Sequence, residues 1–270
     1  MERIAIISDV HGNITALNTV LEDIKSRGIK HIFSLGDCVL KCVHPDLVID
    51  TLRKECEVNL MGNCDYTIAK PDAKTKGFWS RIKIGDERAK WLSSLPFSHE
   101  FYMSGHLIRL FHASPYSLDA IYNPMFKNGN ADVSLVHNEP DHLFDNTKLV
   151  GKSEKDSTPD IVGFGHIHTP FIVRFENKTL FNPGSVGIPI EMLNKDKDNE
   201  KNKYSTMISY MIIEGDYKSK KLGNISFQLV RLNYDIEKEI KDLEKSDMPN
   251  KQMVINSLKT SMPSFYAKKV

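Results

Sequence analysis

Arg3 to Ser8 (RIAIIS) is a short run dominated by β-branched residues and lacks alternation, the pattern of a strand buried on both faces and closed by a polar turn. Asn13 stands where a helix cap is needed. From Ile14 to Arg27 the apolar positions Ile14, Leu17, Val20, Leu21 and Ile24 recur at helical spacing, and Gly28 stops the run. His31 to Leu35 reads as the next strand, Asp46 to Lys54 as a second helix, and Glu57 to Met61 as a third strand. Strand, helix, strand in alternation predicts a parallel sheet.

The middle of the chain is less regular. Gly77 to Ser94 predicts a helix, and Phe101 to Met103 with His106 to Phe111 predicts a hairpin turning at Ser104 and Gly105, so pairing becomes antiparallel there. Asp132 to Asn146 is polar and loosely periodic, and predicts a helical excursion that would cover a site on the sheet. Ile161 to Phe164, Phe171 to Phe175, Thr179 to Asn182, Met207 to Ile213 and Ile225 to Leu232 read as further strands. Asn194 to Lys203 (NKDKDNEKNK) can bury nothing and reads as a mobile, solvated loop. From Asp235 the pattern is helical, and residues 235–270 are expected to pack as an appendage on a single domain spanning 1–270.

Composition narrows the partners. The 270 residues are 40% hydrophobic and 26% charged, enough apolar side chain for a sizeable core. Lys and Arg number 36 against 35 acidic residues, a net charge of +1, so no excess field concentrates a polyanion and nucleic acid is not expected as a partner. Trp79 and Trp91, with Phe78 and Phe97, read as packing rather than as a base-stacking platform. The four cysteines, Cys38, Cys42, Cys56 and Cys64, form no Cys-x-x-Cys pair, which argues against a disulfide framework or zinc knuckle and suits a reducing compartment. Met1 to Ser8 is too short an apolar run for a signal peptide, and no segment reaches the roughly 18 apolar residues of a membrane span. A cytoplasmic protein that does not enter membranes is expected; oligomeric state is left open.

Five short clusters each follow a predicted strand, where an α/β sheet gathers its ligand-binding groups. They are Asp9-Val10-His11, Gly36-Asp37, Gly62-Asn63-Cys64-Asp65, Phe111-His112 and Gly165-His166-Ile167-His168. Singly each has an ordinary reading: Asp9 as a helix cap, His11 as a surface residue, Asn63 as a turn residue. Together they offer carboxylate, imidazole and amide oxygen, donors that suit divalent manganese, iron or zinc. Glycines beside Asp37, Asn63 and His166 would let the backbone turn sharply, so that side chains from separate strands converge. The other histidines, His31, His44, His99, His106, His137 and His142, read as surface or core residues. Of these, His137 and His142 lie in the segment expected to cover the site.

In order and spacing, Asp9-x-His11, Gly36-Asp37, Gly62-Asn63-x-Asp65, His112 and Gly165-His166-x-His168 resemble the calcineurin-like metallophosphoesterase superfamily. Asp9-Val10-His11-Gly12-Asn13 ahead of a helix, and Asn182-Pro183-Gly184-Ser185, resemble its small bacterial and archaeal phosphodiesterase branch. The resemblance implies an α/β fold, a four-layer α/β/β/α sandwich of two mixed sheets flanked by helices, with two divalent metal ions at one edge. Asp9, His11 and His168 would hold one metal, Asn63, His112 and His166 the other, and Asp37 would bridge them at about 3.5 to 4 Å. A hydroxide between the cations would attack phosphorus in line, with Asn13 and Asn63 as candidate phosphate contacts. The sequence departs from the pattern at Cys64, where many members carry a histidine thought to assist the leaving group. A thiol with an ordinary pKa near about 8.5 and a weak S–H donor is a poor substitute for an imidazolium. Cys64 is therefore read either as a small buried apolar residue or as an altered catalytic position that favours good leaving groups, such as aryl diesters or phosphoanhydrides.

The function expected is hydrolysis of a small phosphorylated substrate, a diester or phosphoanhydride, with a nucleotide among the candidates. A phosphomonoesterase acting on nucleotides or phosphoproteins is the nearest alternative. From another class comes a protein-interaction scaffold, since the fold resembles that of a retromer subunit thought to act mainly as an interaction module; degenerate ligands would favour that reading, and here all seven positions carry competent residues.

Overall fold

Strand β1 (Glu2–Ile7) pairs in parallel with β2 (His31–Ser34), and β2 with β3 (Val58–Asn59). The crossovers are helices α1 (Ile14–Ser26) and α2 (Pro45–Glu55), as the alternating pattern predicts. β3 is shorter than expected because the chain leaves the sheet early: Met61 N donates to Pro96 O instead of to a strand neighbour. On the other side of β1, β11 (Ile208–Gly215) adds antiparallel, with β12 (Ser226–Leu232) outside it. The first sheet thus runs β12-β11-β1-β2-β3.

The second sheet is built on β4 (Ser98–Met103), β5 (His106–Phe111), β8 (Ile161–Phe164), β9 (Phe171–Phe175) and β10 (Lys178–Asn182), in the order β4-β5-β8-β10-β9. Its centre is parallel and its two outer pairs are antiparallel. The β4–β5 hairpin turns where predicted, with Ser104 at φ 49 and Gly105 at φ 80, the left-handed pair that a two-residue hairpin loop requires. A small parallel pair joins β6 (Ile121–Tyr122) to β7 (Val136–His137). This computed structural model describes residues 1–72, 75, 78–122, 136–137, 140–145, 158–190 and 206–260.

β1 shows why its sequence does not alternate. Ile4 and Ile6 face the second sheet, packing with Phe33, Leu35 and Leu60 against Phe101, Ile108, Leu110 and Phe181, while Ala5 and Ile7 face the helices. There Leu17, Val20 and Ile24 of α1, Val48, Ile49 and Leu52 of α2, and Ile84, Ala89 and Leu92 of a further helix complete the outer layer. Truncating a ring such as Phe33, fully buried between the sheets, to alanine costs about 3–5 kcal/mol in lost transfer energy and cavity formation.

The architecture is the predicted α/β sandwich of two mixed sheets flanked by helices, with differences in detail. Asn63 is not simply in a turn: it starts α3 (Asn63–Ala69), which packs on α4 (Trp79–Ser93). α4 itself is interrupted at Gly85 (φ 72, ψ 178). The helical excursion expected over 132–146 is, in its described parts, the strand β7 and a 3-10 turn at Pro140–Phe144. Leu143 and Phe144 of that turn cover Phe111, Val162, Phe164 and Leu180 on the outer face of the second sheet, and Arg109 Nη1 donates to Asp145 O to fasten it. The charged loop 194–203 lies outside the described residues. Within the tail expected to be helical, α5 (Ile236–Lys245), capped by Asp235, and α6 (Lys251–Thr260) bury Ile240, Leu243, Ile255 and Leu258 with Cys42 and Val43, and residues 261–270 lie outside the described residues. Among the described residues no helix is long and apolar enough to cross a membrane.

Candidate metal centre

The carboxyl ends of β1, β2, β3, β5 and β8 meet along the seam between the two sheets, so the seven predicted ligands come from both. Asp9 and His11 follow β1, Asp37 follows β2, Asn63 follows β3, His112 follows β5, and His166 and His168 follow β8. Asp9, His11, Asp37, His112 and His168 are buried, whereas Asn63, Cys64 and His166 are partly open. The open side of the cluster is therefore the Asn63–Cys64–His166 side.

Local backbone achieves the convergence in an unexpected way. Five of the seven candidate ligands have positive φ themselves: Asp9 (55°), His11 (52°), Asp37 (56°), His166 (66°) and His168 (62°). Left-handed backbone at non-glycine residues costs about 1–2 kcal/mol each and persists where surrounding bonds over-determine it. Two of the glycines serve close approach rather than turning. A Cβ on Gly62 would meet Asp37 Oδ1 at 2.1 Å, and one on Gly165 would meet Ser8 Oγ at 2.0 Å.

Hydrogen bonds to carbonyls set the imidazoles. A carbonyl only accepts, so Nδ1–H of His11 donates to Val39 O (3.0 Å), that of His112 to Leu35 O (2.9 Å) and that of His168 to Ile188 O (2.5 Å). Their Nε2 lone pairs then face inward. His11 Nε2 and His168 Nε2 stand 3.1 Å apart, and His112 Nε2 lies 3.0 Å from Asn63 Oδ1, which is also 3.2 Å from His166 Nδ1. Among the described residues Asp9 Oδ1 is buried without a hydrogen-bond partner, 3.3 Å from His168 Nε2 and 3.8 Å from His11 Nε2. Asp37 spans the two groups, Oδ2 lying 3.7 Å from His11 Nε2 and Oδ1 3.5 Å from His112 Nε2. Acceptors facing acceptors in a buried site repel unless a cation or proton lies among them, so these residues fit a metal centre. Asp9, His11 and His168 place one ligand atom each within 4.8 Å of one another, as do Asp9, Asp37 and His112.

The electrostatics agree with this donor set. Burial, with His168 adding repulsion, lowers His11 to about 3; burial and His112 lower His166 to about 3, so both are neutral near neutral pH. Burial pulls His112 down, but Asp37 and Asp9 outweigh it and raise it. Burial works to raise Asp9, yet His168, His112 and His11 hold it well below the usual carboxylate range. Asp37 is raised by burial and by Asp9 despite His112.

Asp65 carries a role that the sequence reading did not give it. Its Oδ2 accepts from Asp37 N (2.7 Å) and Gly62 N (3.0 Å), and its Oδ1 from Cys38 N (3.0 Å) and the Cys38 thiol (3.0 Å). One carboxylate thus ties the loop bearing Asp37 to the start of α3 bearing Asn63. The signal was its place at the third helical position after Gly62, where a capping carboxylate belongs. Ser185 Oγ donates to Asp9 O (2.7 Å) and Asn182 Nδ2 to Gly165 O (2.7 Å), bracing the β1 and β8 loops in the same manner.

Two candidate contacts stand differently. Asn13 is fully buried; its Oδ1 caps α1 through Ala16 N (2.9 Å), and its Nδ2 donates to Gly187 O (3.1 Å) and Tyr234 OH (3.2 Å), which leaves no free donor for a phosphate. Cys64 lies beside the centre: its N–H donates to Asp37 Oδ1 (2.8 Å), and its Sγ comes within 4.8 Å of ligand atoms of His11 and Asp37. Burial, with Asp37 and Asp65 adding, pushes its thiol well above the ordinary range. His142 is exposed on the 3-10 turn, 3.4 Å from Asp145 Oδ2, and the side chain of His137 lies outside the described residues.

The sequence model of the calcineurin-like phosphoesterase superfamily domain matches residues 2–202. Uncharacterized protein MJ0912 of Methanocaldococcus jannaschii is 30% identical in an alignment covering 91% of this chain and 93% of that one. Among solved structures, a metallophosphoesterase from Sphaerobacter thermophilus superposes with a TM-score of 0.65 at 21% identity, covering 96% of this chain and 100% of its own. Hypothetical protein PH1004 of Pyrococcus horikoshii OT3 superposes with a TM-score of 0.67 at 17% identity, covering 97% and 100%. At these identities the two structures speak for the fold.

Proposed function

Since the chain belongs to the calcineurin-like phosphoesterase superfamily, we propose that it is a metal-dependent phosphoester hydrolase acting on a phosphodiester or phosphoanhydride. In this reading Asp9, His11 and His168 hold one divalent cation, Asn63, His112 and His166 a second, and Asp37 lies between them. The observation that carries it is the 3.1 Å facing of two bare imidazole nitrogens, His11 Nε2 and His168 Nε2, beside the unpartnered Asp9 Oδ1. Oxygen and imidazole donors suit manganese, iron or zinc. When bound, such cations polarise phosphoryl oxygen and make water nucleophilic near neutral pH.

The chain's own residues supply position. Val39, Leu35 and Ile188 carbonyls hold three imidazoles in the tautomer that presents Nε2, and Asp65 fixes the loops of Asp37 and Asn63. Substrate reaches the cluster from the Asn63–Cys64–His166 side. Cys64, beside two carboxylates, keeps its proton near neutral pH and offers a weak S–H donor, not a nucleophile. A leaving group that departs without strong protonation, an aryl alcohol or a phosphate, matches that arrangement. The four free cysteines make a cytoplasmic setting part of the same proposal.

Protein loaded with Mn²⁺ is expected to hold two metal equivalents by elemental analysis and to cleave a bis-aryl phosphate faster than a mono-aryl phosphate. Asp37→Asn is expected to weaken metal binding at least about tenfold and to suppress hydrolysis with it. Faster cleavage of the mono-aryl ester turns the reading to a phosphomonoesterase. Absence of bound metal, or hydrolysis untouched by Asp37→Asn, refutes the enzyme and leaves an interaction role for the fold.

A further inference from the structure

The turn before α2 carries two consecutive left-handed non-glycine residues, Leu40 (φ 67) and Lys41 (φ 73). Such strain persists only where the surroundings enforce it. Backbone bonds do so from one side, with Gly12 N donating to Cys38 O (2.9 Å), Cys42 N to His11 O (2.8 Å) and His44 N to Gly12 O (3.0 Å). From the other side comes the last helical pair of the described chain. Cys42 and Val43 are buried in one apolar cluster with Ile240 and Leu243 of α5 and Val254, Ile255 and Leu258 of α6. Ile188, whose carbonyl accepts from His168 Nδ1 (2.5 Å), packs on the same cluster.

Polar contacts run alongside this packing. Tyr234, just ahead of α5, offers its OH to Asn13 Nδ2 (3.2 Å), which also donates to Gly187 O (3.1 Å), and Gly187 N donates in turn to Asp9 O (2.9 Å). Lys238 Nζ donates to Thr15 Oγ1 (3.2 Å) on α1, and His44 Nε2 lies 3.5 Å from Asp242 Oδ2. Asp9, His11 and His168 are thus each reached from residues 234–258 through a short run of contacts. The other three candidate ligands are held from the sheet loops: Leu35 O accepts from His112 Nδ1 (2.9 Å), Gly165 N donates to His112 O (2.8 Å), and Asp65 fixes the start of α3 at Asn63. Trp79 Nε1 donates to Asp247 Oδ1 (2.9 Å), but Trp79 opens α4, which bears no candidate ligand.

Resting on the metal-centre reading above, we propose that residues 234–258 are a positioning element for one half of the centre. They set Asp9, His11 and His168 through the bed of Cys42 and Ile188 and through the Asn13 amide, and leave the Asn63, His112 and His166 half to the sheet loops. The family model matches residues 2–202, so this half is braced by a part of the chain outside that match. Groups that orient a ligand without touching the cation govern how well its donor atom meets the cation. Loosening the cluster frees Ile188 and the Cys42 turn, and only the half that they orient loses its geometry.

The test measures Mn²⁺ affinity by calorimetry in two full-length backgrounds that each keep one half, His166→Ala and His11→Ala. Adding Leu243→Ala is expected to lower the affinity about tenfold in the His166→Ala protein and less than about twofold in the His11→Ala protein. Tyr234→Phe removes the acceptor of Asn13 and leaves the packing in place. It is expected to act in the same direction at about threefold, and it decides alone if Leu243→Ala does not fold. Met103→Ala truncates a buried side chain at the β4–β5 turn, the end of the sheet away from His112, and is expected to leave both affinities within about twofold. Equal losses in the two backgrounds, or a loss of the same size from Met103→Ala, overturn the assignment. Wild type that takes up no Mn²⁺ removes the metal reading by itself, and amide exchange in the metal-free protein then decides the bracing. There the Cys42 and Gly187 N–H groups are expected to exchange about tenfold faster in Leu243→Ala than in wild type while Gly165 N–H is unchanged. Rates that change equally at all three, or at none, show that the tail positions neither loop.

Discussion

Replacing Glu239 with glutamine isolates the energetic effect of one buried carboxyl. Glu239 lies on the inner face of α5 with Ile240 and Leu243, is fully buried, and among the described residues has no hydrogen-bond partner of good geometry at either oxygen. Burial is the main cause that lifts it from 4.5 to about 7; Thr15 opposes the shift and Asp242 adds to it. An acid whose folded value is raised binds more protons folded than unfolded between the two values. The stability that Glu239 contributes is therefore greatest below about 4.5, falls as pH climbs towards about 7, and changes no further above it. The shift corresponds to about 3 kcal/mol in total at 1.36 kcal/mol per unit. Glutamine cannot ionise, and whatever its unpaired amide costs is the same at every pH. In denaturant unfolding at about pH 5 and about pH 8.5, the stability of Glu239→Gln relative to wild type is expected to rise by about 2–3 kcal/mol between the two conditions. In melting temperature this amounts to roughly 4–12 °C. A relative stability that stays constant within about 0.5 kcal/mol would show that the carboxylate finds a counterion on ionising, and would refute the account.

Asp65→Asn keeps the size of the side chain but turns one acceptor into a donor facing the N–H groups of Asp37, Gly62 or Cys38. Metal affinity is expected to drop about 10–100-fold by calorimetry, and a change below about threefold would mean that the β2 and β3 loops hold themselves. Cys64→His is expected to raise turnover of substrates with poor leaving groups more than of those with good ones, flattening the dependence of rate on leaving-group pKa across a series of aryl diesters; an unchanged slope removes Cys64 from leaving-group assistance.

The sequence made the convergence of the candidate ligands legible because each follows an apolar run that a sheet must bury, and such runs end where side chains of parallel strands gather. The β4–β5 turn was legible for a similar reason, since Ser104-Gly105 is a local requirement of a two-residue loop. What escaped was tertiary. Asn63 begins a helix only because Gly62 and Asp65 cap it and α4 supports it, and seven residues are too few to declare a helical period. The left-handed backbone at Leu40 and Lys41 comes from hydrogen bonds to residues 11 and 12, which no local window contains. Asn13 was read both as a cap and as a phosphate contact, and its amide is committed by Gly187 and Tyr234, far away in the chain. The cover over the second sheet was misjudged because polar, loosely periodic residues carry little preference between a helix and the 3-10 turn that presents Leu143 and Phe144.

β1 lies inside its sheet, yet one of its two neighbours arrives late. β2 follows within a few tens of residues, but β11 is not made until Ile208–Gly215. During synthesis the strand that leads into Asp9 and His11 therefore presents a bare row of peptide groups until Ile208–Gly215 is made, by which stage all seven candidate ligands already exist. An intermediate of that kind is open to pairing with another copy's β1, so the β11–β12 hairpin closes the molecule against self-association, although it carries none of the candidate ligands.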